Sequence, residues 1–136
     1  MANTLRLEIV TPEAKTYSDD VEMVTLPGRE GEMGIYPLHV PLMTEIIAGE
    51  VAVIKDGKQH FYAVGEGFVE ITGGRVAVLT DMAISSDDID EAQAEEARKR
   101  AEARLREKLS DEELATVEAS LAHSLTLLEV RRRHKK

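Results

Sequence analysis

The first part of the chain alternates apolar and polar residues at the spacing of a β-strand. Leu5, Leu7 and Ile9 alternate with Arg6 and Glu8. Side chains two residues apart lie on the same face of a strand, so this pattern predicts a strand with one buried face.

Turn residues separate further short strands in this region. A strand over residues 21–26 is predicted to stop at Pro27-Gly28, because proline lacks the amide donor that a sheet uses. Asp56-Gly57 stands between apolar runs at residues 50–54 and 60–64, and Asp-Gly is favoured where both turn positions need a positive φ. A second hairpin is predicted at Thr72-Gly73-Gly74, between residues 67–71 and 75–79. Short strands with frequent turns are typical of a sandwich or a barrel.

The last third of the chain has a helical pattern. Ser85, Ser86 and Asp87 are predicted to cap a first helix that runs to about Leu109. Its first turn carries acidic residues that suit the helix dipole, namely Asp88, Asp90 and Glu91. Ser110 is predicted to cap a second helix, with Glu113 at the spacing of a capping box. A break of one or two residues between the helices favours an antiparallel hairpin.

The apolar stripes of the two predicted helices differ in bulk. The second helix carries Leu114, Val117, Leu121, Leu125 and Leu128. The first helix carries Ala94, Ala97, Ala101 and Leu105. A buried leucine stabilises by about 1.5–3 kcal/mol and one methylene by about 0.8 kcal/mol, so the alanine side contributes little. Because both helices are rich in strong helix formers, we expect them to separate while staying helical, as a moving arm requires; the alternative is a fixed pair packed on the sheet.

Composition divides the chain at the same place. All glycines, prolines and aromatic residues lie between residues 12 and 74. We therefore expect an α+β chain with a β-domain over residues 1–86 and a helical domain over residues 87–136. The formal net charge of −9 argues against nucleic acid as a partner, because phosphate binding depends on Lys and Arg. With no cysteine the chain has no disulfide or thiolate metal site, and neither a signal peptide nor a membrane span is expected.

No pattern in the chain indicates catalysis or a metal centre. The histidines are His39, His60, His123 and His134, and none stands at the spacing of a zinc site. Gly28, Gly31 and Gly34 fit no phosphate-binding motif. Ser85-Ser86 is interpreted as a helix cap rather than as a nucleophile.

Two blocks of sequence are more specific than these patterns. Residues 26–42 read LPGREGEMGIYPLHVPL, and residues 65–71 read GEGFVEI before VAVLTD at residues 76–81. With the charged helical hairpin that follows, they resemble the epsilon subunit of F-type ATP synthases over essentially the whole chain. The resemblance implies a ten-stranded N-terminal β-sandwich followed by an antiparallel two-helix hairpin.

The resemblance also implies a function. It predicts a non-catalytic rotor subunit of the central stalk that binds the gamma subunit and sits on the membrane ring of c subunits. Such a subunit helps to couple proton or sodium flow to ATP synthesis, and its hairpin extends toward the catalytic alpha and beta subunits to block ATP hydrolysis. The chain is then expected on the cytoplasmic face of a bacterial plasma membrane, peripheral through the complex, with a thylakoid or plastid location left open.

The same resemblance assigns residues to these contacts. Glu32 matches an acidic position at the c-ring contact, although an ordinary solvated turn carboxylate is the alternative. His39 matches a histidine of the same loop and has a structural role as its alternative. Bulky Leu38 stands where relatives often have Gly or Asn, which puts the backbone angles of this loop in question. The remaining residues assigned to the c-ring and gamma interface are Gly34, Tyr36 and Pro37.

Basic residues on the arm are assigned to an acidic segment of the beta subunits. They are Arg98, Lys99, Arg100, Arg104, Arg106 and Lys108. In the alternative interpretation they are a solvated helix face with partners four residues away, such as Glu102. We expect both states, solvated when the arm is folded and paired when it is extended.

An ATP-binding motif of some relatives is only partly kept. The matching residues are Ile89, Asp90, Ala94 and Arg100. Gln93 replaces an arginine of the motif, and His123 and Leu127 stand where ATP-binding relatives have further arginines. A triphosphate needs positive charge or backbone amides, so weak ATP binding or none is predicted, and no cofactor.

Two other classes of protein are compatible with parts of the pattern. One is a free-standing β-sandwich module that binds a small ligand and dimerises through its helices. The other is a small β-barrel enzyme, which lacks a convergent catalytic set. The free-standing module does not account for the block at residues 31–42.

Overall fold

The computed structural model describes residues 3–134 of the chain. Within this range a strand-rich part is followed by a one-turn 3₁₀ helix at Ser86–Asp88 and two α-helices, Glu91–Arg104 (α1) and Asp111–Arg133 (α2). The ten strands of this range are Leu5–Val10 (β1), Lys15–Val21 (β2), Met23–Gly28 (β3), Gly31–Ile35 (β4), Leu42–Ile46 (β5), Gly49–Lys55 (β6), Lys58–Val64 (β7), Gly67–Thr72 (β8), Arg75–Thr80 (β9) and Ala83–Ser85 (β10). The predicted ten-stranded sandwich with a C-terminal helical pair is confirmed.

The strands form one hydrogen-bonded sheet that folds over on itself. The order along the sheet is β10-β7-β6-β3-β5-β8-β9-β1-β2, with β4 paired to β3 off this path. Strand β2 returns across the fold toward β6 and β7, where Tyr17 meets the ring of Tyr62 edge-on at 5.2 Å and Asp19 forms an ion pair with Lys55. Burial raises the pKa of Tyr62 to about 12, so the ring closes the sandwich as a neutral phenol.

The alternating residues of β1 point into this sandwich as predicted. Leu5, Leu7 and Ile9 are buried in one cluster with apolar residues from the other strands. The fifteen buried residues of this cluster all come from the sandwich and none from a helix. The sandwich therefore has a complete core of its own, and the helices rest on its outside.

Both predicted hairpins form, and the reason is local. Asp56 and Gly57 have φ of 54° and 74°, which lie in the left-handed region that the turn requires. Gly73 has φ of 53° at the tip of the second hairpin. The Asp-Gly and Gly-Gly pairs thus determine where the chain reverses.

The predicted stop at Pro27-Gly28 is wrong. Strand β3 runs through both residues, with Pro27 opposite Glu32 and Gly28 opposite Gly31. Proline cannot donate to the ladder, but its carbonyl still accepts the Ile47 amide at 2.9 Å. The pairing with β4 continues past the proline, since Gly28 still lies opposite Gly31.

The first helix begins later and ends earlier than predicted. Its cap is Asp90, whose carboxylate accepts the Gln93 amide at 3.1 Å, because the segment predicted as the cap forms the 3₁₀ turn and Ile89 is extended (φ −77°, ψ 123°). At the other end Arg106 and Glu107 donate to carbonyls three residues back, which tightens the last turn and ends α1 at Arg104 instead of Leu109. Six residues, 105–110, thus connect the helices rather than one or two.

The second helix begins as predicted. The Ser110 hydroxyl accepts the Glu113 amide at 3.2 Å, and the Glu113 carboxylate accepts the Ser110 amide at 3.2 Å. These reciprocal bonds form the capping box. The helices run antiparallel, since Arg104 at the end of α1 pairs with Glu113 near the start of α2 at 3.2 Å.

The predicted apolar stripe of α2 is only partly buried. Val117 and Leu128 are buried and Leu121 is half-buried, whereas Leu114 and Leu125 are exposed. The buried face turns toward the sandwich near the C-terminal end, where Ser124, Thr126 and Val130 are buried instead. The stripe differs because α2 contacts two neighbours, α1 and the sandwich, and not α1 alone.

The side chains with which α1 packs against α2 are small, as predicted. Ala94 and Ala101 are its buried residues, and Leu105 at its end is exposed. The structure thus has the hairpin folded down on the sandwich, across a seam that buries little apolar surface from α1.

Loss of the capping box should weaken the helical hairpin. We expect Ser110→Ala to destabilise it by about 1 kcal/mol, because a cap hydroxyl that satisfies an amide is lost. Ser120→Ala on the exposed middle of α2 is the matched control and should leave stability unchanged or slightly higher, since alanine is the best helix former. Urea unfolding followed by helical circular dichroism measures both variants. Equal midpoints for wild type and Ser110→Ala would contradict this role of the cap.

Candidate interaction surfaces

A group of exposed apolar side chains lies at one end of the sandwich, which we call the loop end. It comprises β4, the loop that follows it, β5 and the adjoining ends of β3 and β8. Its exposed apolar residues are Tyr36, Leu38, Val40, Leu42, Met43, Ile47 and Phe68. Clustered exposed apolar residues of this kind mark interaction surfaces, and all five residues assigned to the c-ring and gamma interface are exposed or half-buried here with them.

Glu32 lies beside a groove of about 760 Å³ at this end. The groove is lined by apolar Met33, Met43 and Phe68 and by the ion pair between Arg29 and Glu45, whose Nη2 and Oε2 atoms are 2.6 Å apart. Within residues 3–134, Glu32 is exposed and has no ion pair. Its carboxylate is therefore accessible to a partner, next to apolar surface.

His39 and Leu38 shape the loop after β4. The Nδ1 atom of His39 lies 2.7 Å from the Val40 carbonyl oxygen, so the imidazole binds the backbone of its own loop. Leu38 has φ of 68° and is 92% exposed. It therefore takes the left-handed conformation that favours Gly or Asn, and carries the strain of about 1–2 kcal/mol that a leucine has there. Gly34 lies in β4, while Tyr36 and Pro37 begin this loop.

The six basic residues of the arm fall into two groups. Arg98 is held along α1: its side chain is 27% exposed, it forms an ion pair with Glu95, and its Nη1 lies 2.5 Å from Glu102. Arg104 pairs with Glu107 at 3.6 Å and with Glu113 at 3.2 Å. The other members are exposed, namely Lys99, Arg100, Arg106 and Lys108. Of these, Arg100 has a distant partner in Glu96 at 3.9 Å.

Glu95 joins the two helices electrostatically. Besides Arg98 it contacts Arg132 of α2, whose Nη2 lies 3.0 Å from Oε2. The Arg98 guanidinium, with help from Arg132, holds the pKa of the Glu95 carboxyl below its ordinary value. Arg98 is thus paired within α1 itself, whereas Lys99, Arg106 and Lys108 remain available to a partner.

The remnant of the ATP motif surrounds one shallow cleft. Ile89, Asp90, Ala94 and Arg100 all line it, together with Gln93 and Leu127. The structure thus brings together the four motif residues that the sequence retains. Among the lining residues Arg100 is the one base, and it faces the carboxylates of Asp88, Asp90 and Glu96. The cleft is therefore a poor site for a triphosphate.

His123 does not contribute to this cleft. Its Nε2 lies 3.2 Å from Oδ2 of Asp81 on the sandwich. The described residues 3–134 contain no group of three or more side chains placed to hold a metal ion, and no helix in that range is long and apolar enough to cross a membrane.

The sequence comparisons match both parts of the chain. Residues 4–86 match the family model of the ATP synthase delta/epsilon chain beta-sandwich domain, and residues 87–130 match that of its long alpha-helix domain. The ATP synthase epsilon chain of Chloroflexus aggregans is 45% identical over 131 residues, covering 96% of this chain and 94% of the relative. That of Herpetosiphon aurantiacus is 42% identical over 126 residues, covering 93% of each.

Solved structures share the fold. A chain in the cryo-EM structure of the Euglena gracilis mitochondrial ATP synthase, comprising OSCP, F1 and the c-ring, matches with a TM-score of 0.74 at 22% identity, over 93% of this chain and 81% of that one. A chain in the central stalk and c-ring structure of the Tetrahymena thermophila mitochondrial enzyme matches with a TM-score of 0.64 at 8% identity, over 93% and 95%.

A ten-stranded sandwich followed by a folded helical pair defines a two-part class of protein, and the matched family models cover both parts in order. The chain belongs to the ATP synthase delta/epsilon chain family.

The composition of the cleft around Arg100 predicts little affinity for ATP. Titration of ATP into the purified chain should give no saturable heat in the micromolar range, because one arginine opposes three carboxylates there. Isothermal titration calorimetry tests this, with Arg100→Gln as the control that removes the remaining base. A micromolar dissociation constant that is lost in Arg100→Gln would contradict the prediction.

Proposed function

We propose that this chain is the epsilon subunit of an F-type ATP synthase, a non-catalytic part of the central stalk that turns with the rotor. The observation that carries this proposal is the likeness to curated epsilon chains, at 42–45% identity over nearly the full length of both chains. The free-standing ligand-binding module is not favoured by any observation on residues 3–134.

The loop end is the proposed seat on the rotor. Its exposed apolar side chains supply area for the gamma subunit, and Glu32 supplies a charge at the rim for the c-ring. Interfaces of this kind have an apolar centre and a polar rim. Leu38, strained and almost fully exposed, supports this assignment, because strained residues concentrate at functional sites. The subunit is then peripheral to the membrane through the complex, on the cytoplasmic face in a bacterium.

The helical pair is the proposed regulatory arm. At 1.5 Å per residue, the 14 residues of α1 and the 23 residues of α2 span about 21 Å and about 35 Å. An arm unfolded end to end would reach the catalytic alpha and beta subunits. There Lys99, Arg106 and Lys108, exposed in the folded state, would meet acidic residues and block ATP hydrolysis, while the sandwich continues to couple ion flow to ATP synthesis.

Removal of the arm should release hydrolysis without loss of assembly. Deletion of residues 88–136 leaves the sandwich core complete and should raise ATP hydrolysis about twofold or more, since an arm extended half of the time blocks half of the enzymes. Steady-state ATPase assays on the reconstituted complex measure this, with co-purification as the assembly control. Unchanged hydrolysis in a fully assembled complex would refute the inhibitory role.

A charge change at the loop end should weaken the seat on the ring. Glu32→Gln is expected to lower binding to enzyme stripped of this subunit by about two- to fivefold, the worth of one rim charge. Glu30→Gln, an exposed carboxylate in the same turn that has no assigned contact, should bind as wild type. Binding isotherms measure both variants. Equal losses for the two would show a general charge effect and contradict a specific contact of Glu32.

A further inference from the structure

The last turn of α2 contacts the 3₁₀ turn, α1 and the sandwich. The Arg131 Nη1 donates to the Ser86 carbonyl at 3.3 Å. Arg132 bridges to α1, with its Nε 2.9 Å from Glu91 and its Nη2 3.0 Å from Glu95. These two residues bind the end of the arm to the 3₁₀ turn and to the first helix.

The next two residues bind the sandwich through one carboxylate. Arg133 Nη1 lies 3.3 Å from Glu50 Oε1, and the His134 ring hydrogen-bonds the same oxygen. The His134 ring also stacks on Phe61, with ring centroids 3.5 Å apart and an angle of 10° between the planes. Glu50 lies in β6 and Phe61 in β7, so the contact joins the arm to two neighbouring strands near the β10 edge of the sheet.

Glu50 is well placed to hold this contact. Its side chain is only 17% exposed, so its charge is less screened by solvent than that of a surface pair. Directly beneath lies the apolar cluster of Ala63, Ile89 and Val130, in which Val130 is 1% exposed. Charge and apolar contact thus coincide at one end of α2.

The rest of α2 has weaker ties. Leu125 is 48% exposed and Leu114 is exposed as well, and the seam with α1 is made of alanines on the α1 side. Toward the sandwich, the other ion pair formed by α2 within residues 3–134 is that between His123 and Asp81. The contact between α2 and the sheet is therefore concentrated in the final turn.

We propose that Glu50 and Phe61 form a clasp that holds the C-terminal end of α2 and sets how often the arm leaves the sandwich. The arm opens from this end, because release of Arg133 and His134 uncovers Val130 while α1 and the start of α2 stay paired. This regulatory role refines the arm proposed above, whereas the clasp itself is a property of the isolated chain.

Hydrogen exchange on the purified full-length chain tests the clasp. Glu50→Ala should speed amide exchange over residues 126–134 by about five- to thirtyfold, the factor for one or two lost interactions of this strength, and leave β9 unchanged. Phe61→Leu should act in the same direction. Glu45→Ala is the matched control, a strand glutamate that is paired with Arg29 and does not touch the arm.

Salt separates a charged clasp from a general loss of packing. In the wild type, raising the ionic strength should speed exchange over residues 126–134, and Glu50→Ala should remove most of this dependence. Unchanged exchange in Glu50→Ala, equal acceleration in Glu45→Ala, or acceleration across the whole sandwich would each overturn the proposal.

The assembled complex separates the clasp from the arm's function. Because Glu50 and Phe61 lie on the sandwich, their substitution leaves every arm residue intact. Faster exchange with stronger inhibition of hydrolysis supports both proposals. Faster exchange with unchanged hydrolysis leaves the clasp standing and contradicts the inhibitory arm.

Discussion

The position of the helical pair depends on how the C-terminal end of α2 packs against the sandwich. In residues 3–134 the apolar cluster that joins them has only three buried members, Ala63, Ile89 and Val130, with Ile84 and Leu127 partly buried around it. Two large buried side chains contribute about 1.5–3 kcal/mol each. The sandwich cluster has fifteen buried residues. The sandwich is thus stable without the arm. Apolar contacts hold the arm on the sandwich with only a few kilocalories per mole, and polar contacts add to this.

This imbalance separates the two tasks proposed for the molecule. The loop end is held in the sheet because β4 pairs with β3 and β5 pairs with β8 along their lengths, and it presents apolar side chains on this frame. Leu38 keeps its strained conformation on that frame. The arm has the opposite properties. Its two helices form strongly by themselves, but they bury little surface against each other. A binding surface needs a fixed frame, and a regulatory element needs weak attachment. An equilibrium between two arm positions requires that their free energies differ by only a few kilocalories per mole.

Local signals in the sequence predicted the structure well where neighbours in the chain decide it. Asp56-Gly57 and the Ser110–Glu113 capping box formed as predicted, because each needs only residues within a few positions. Pro27 did not end its strand, and its carbonyl accepts a hydrogen bond from the amide of Ile47, twenty residues further along the chain. Leu125 is exposed because the sandwich, not α1, decides which face of the end of α2 is buried.

The candidate sites, too, were predicted where the signal is local and missed where distant residues meet. The exposed loop end follows from a recognisable block of sequence, and so does the cleft of the incomplete ATP motif. The contact between Glu50 and His134 joins residues 84 positions apart, and nothing in the spacing of the histidines indicated it. Arg132 and Arg133 at the end of α2 likewise carry ion pairs to α1 and to β6. Pairing over such separations is decided by the tertiary fold alone.

The distance between arm and sandwich in the assembled enzyme during hydrolysis tests the central claim most directly. Because the chain has no cysteine, spin labels on cysteines introduced at residues 70 and 118, exposed on β8 and α2, report only this distance. A weakly held arm predicts two populations, separated by about 20 Å or more given the length of α2, with helix content unchanged. A single short distance under every condition would contradict it.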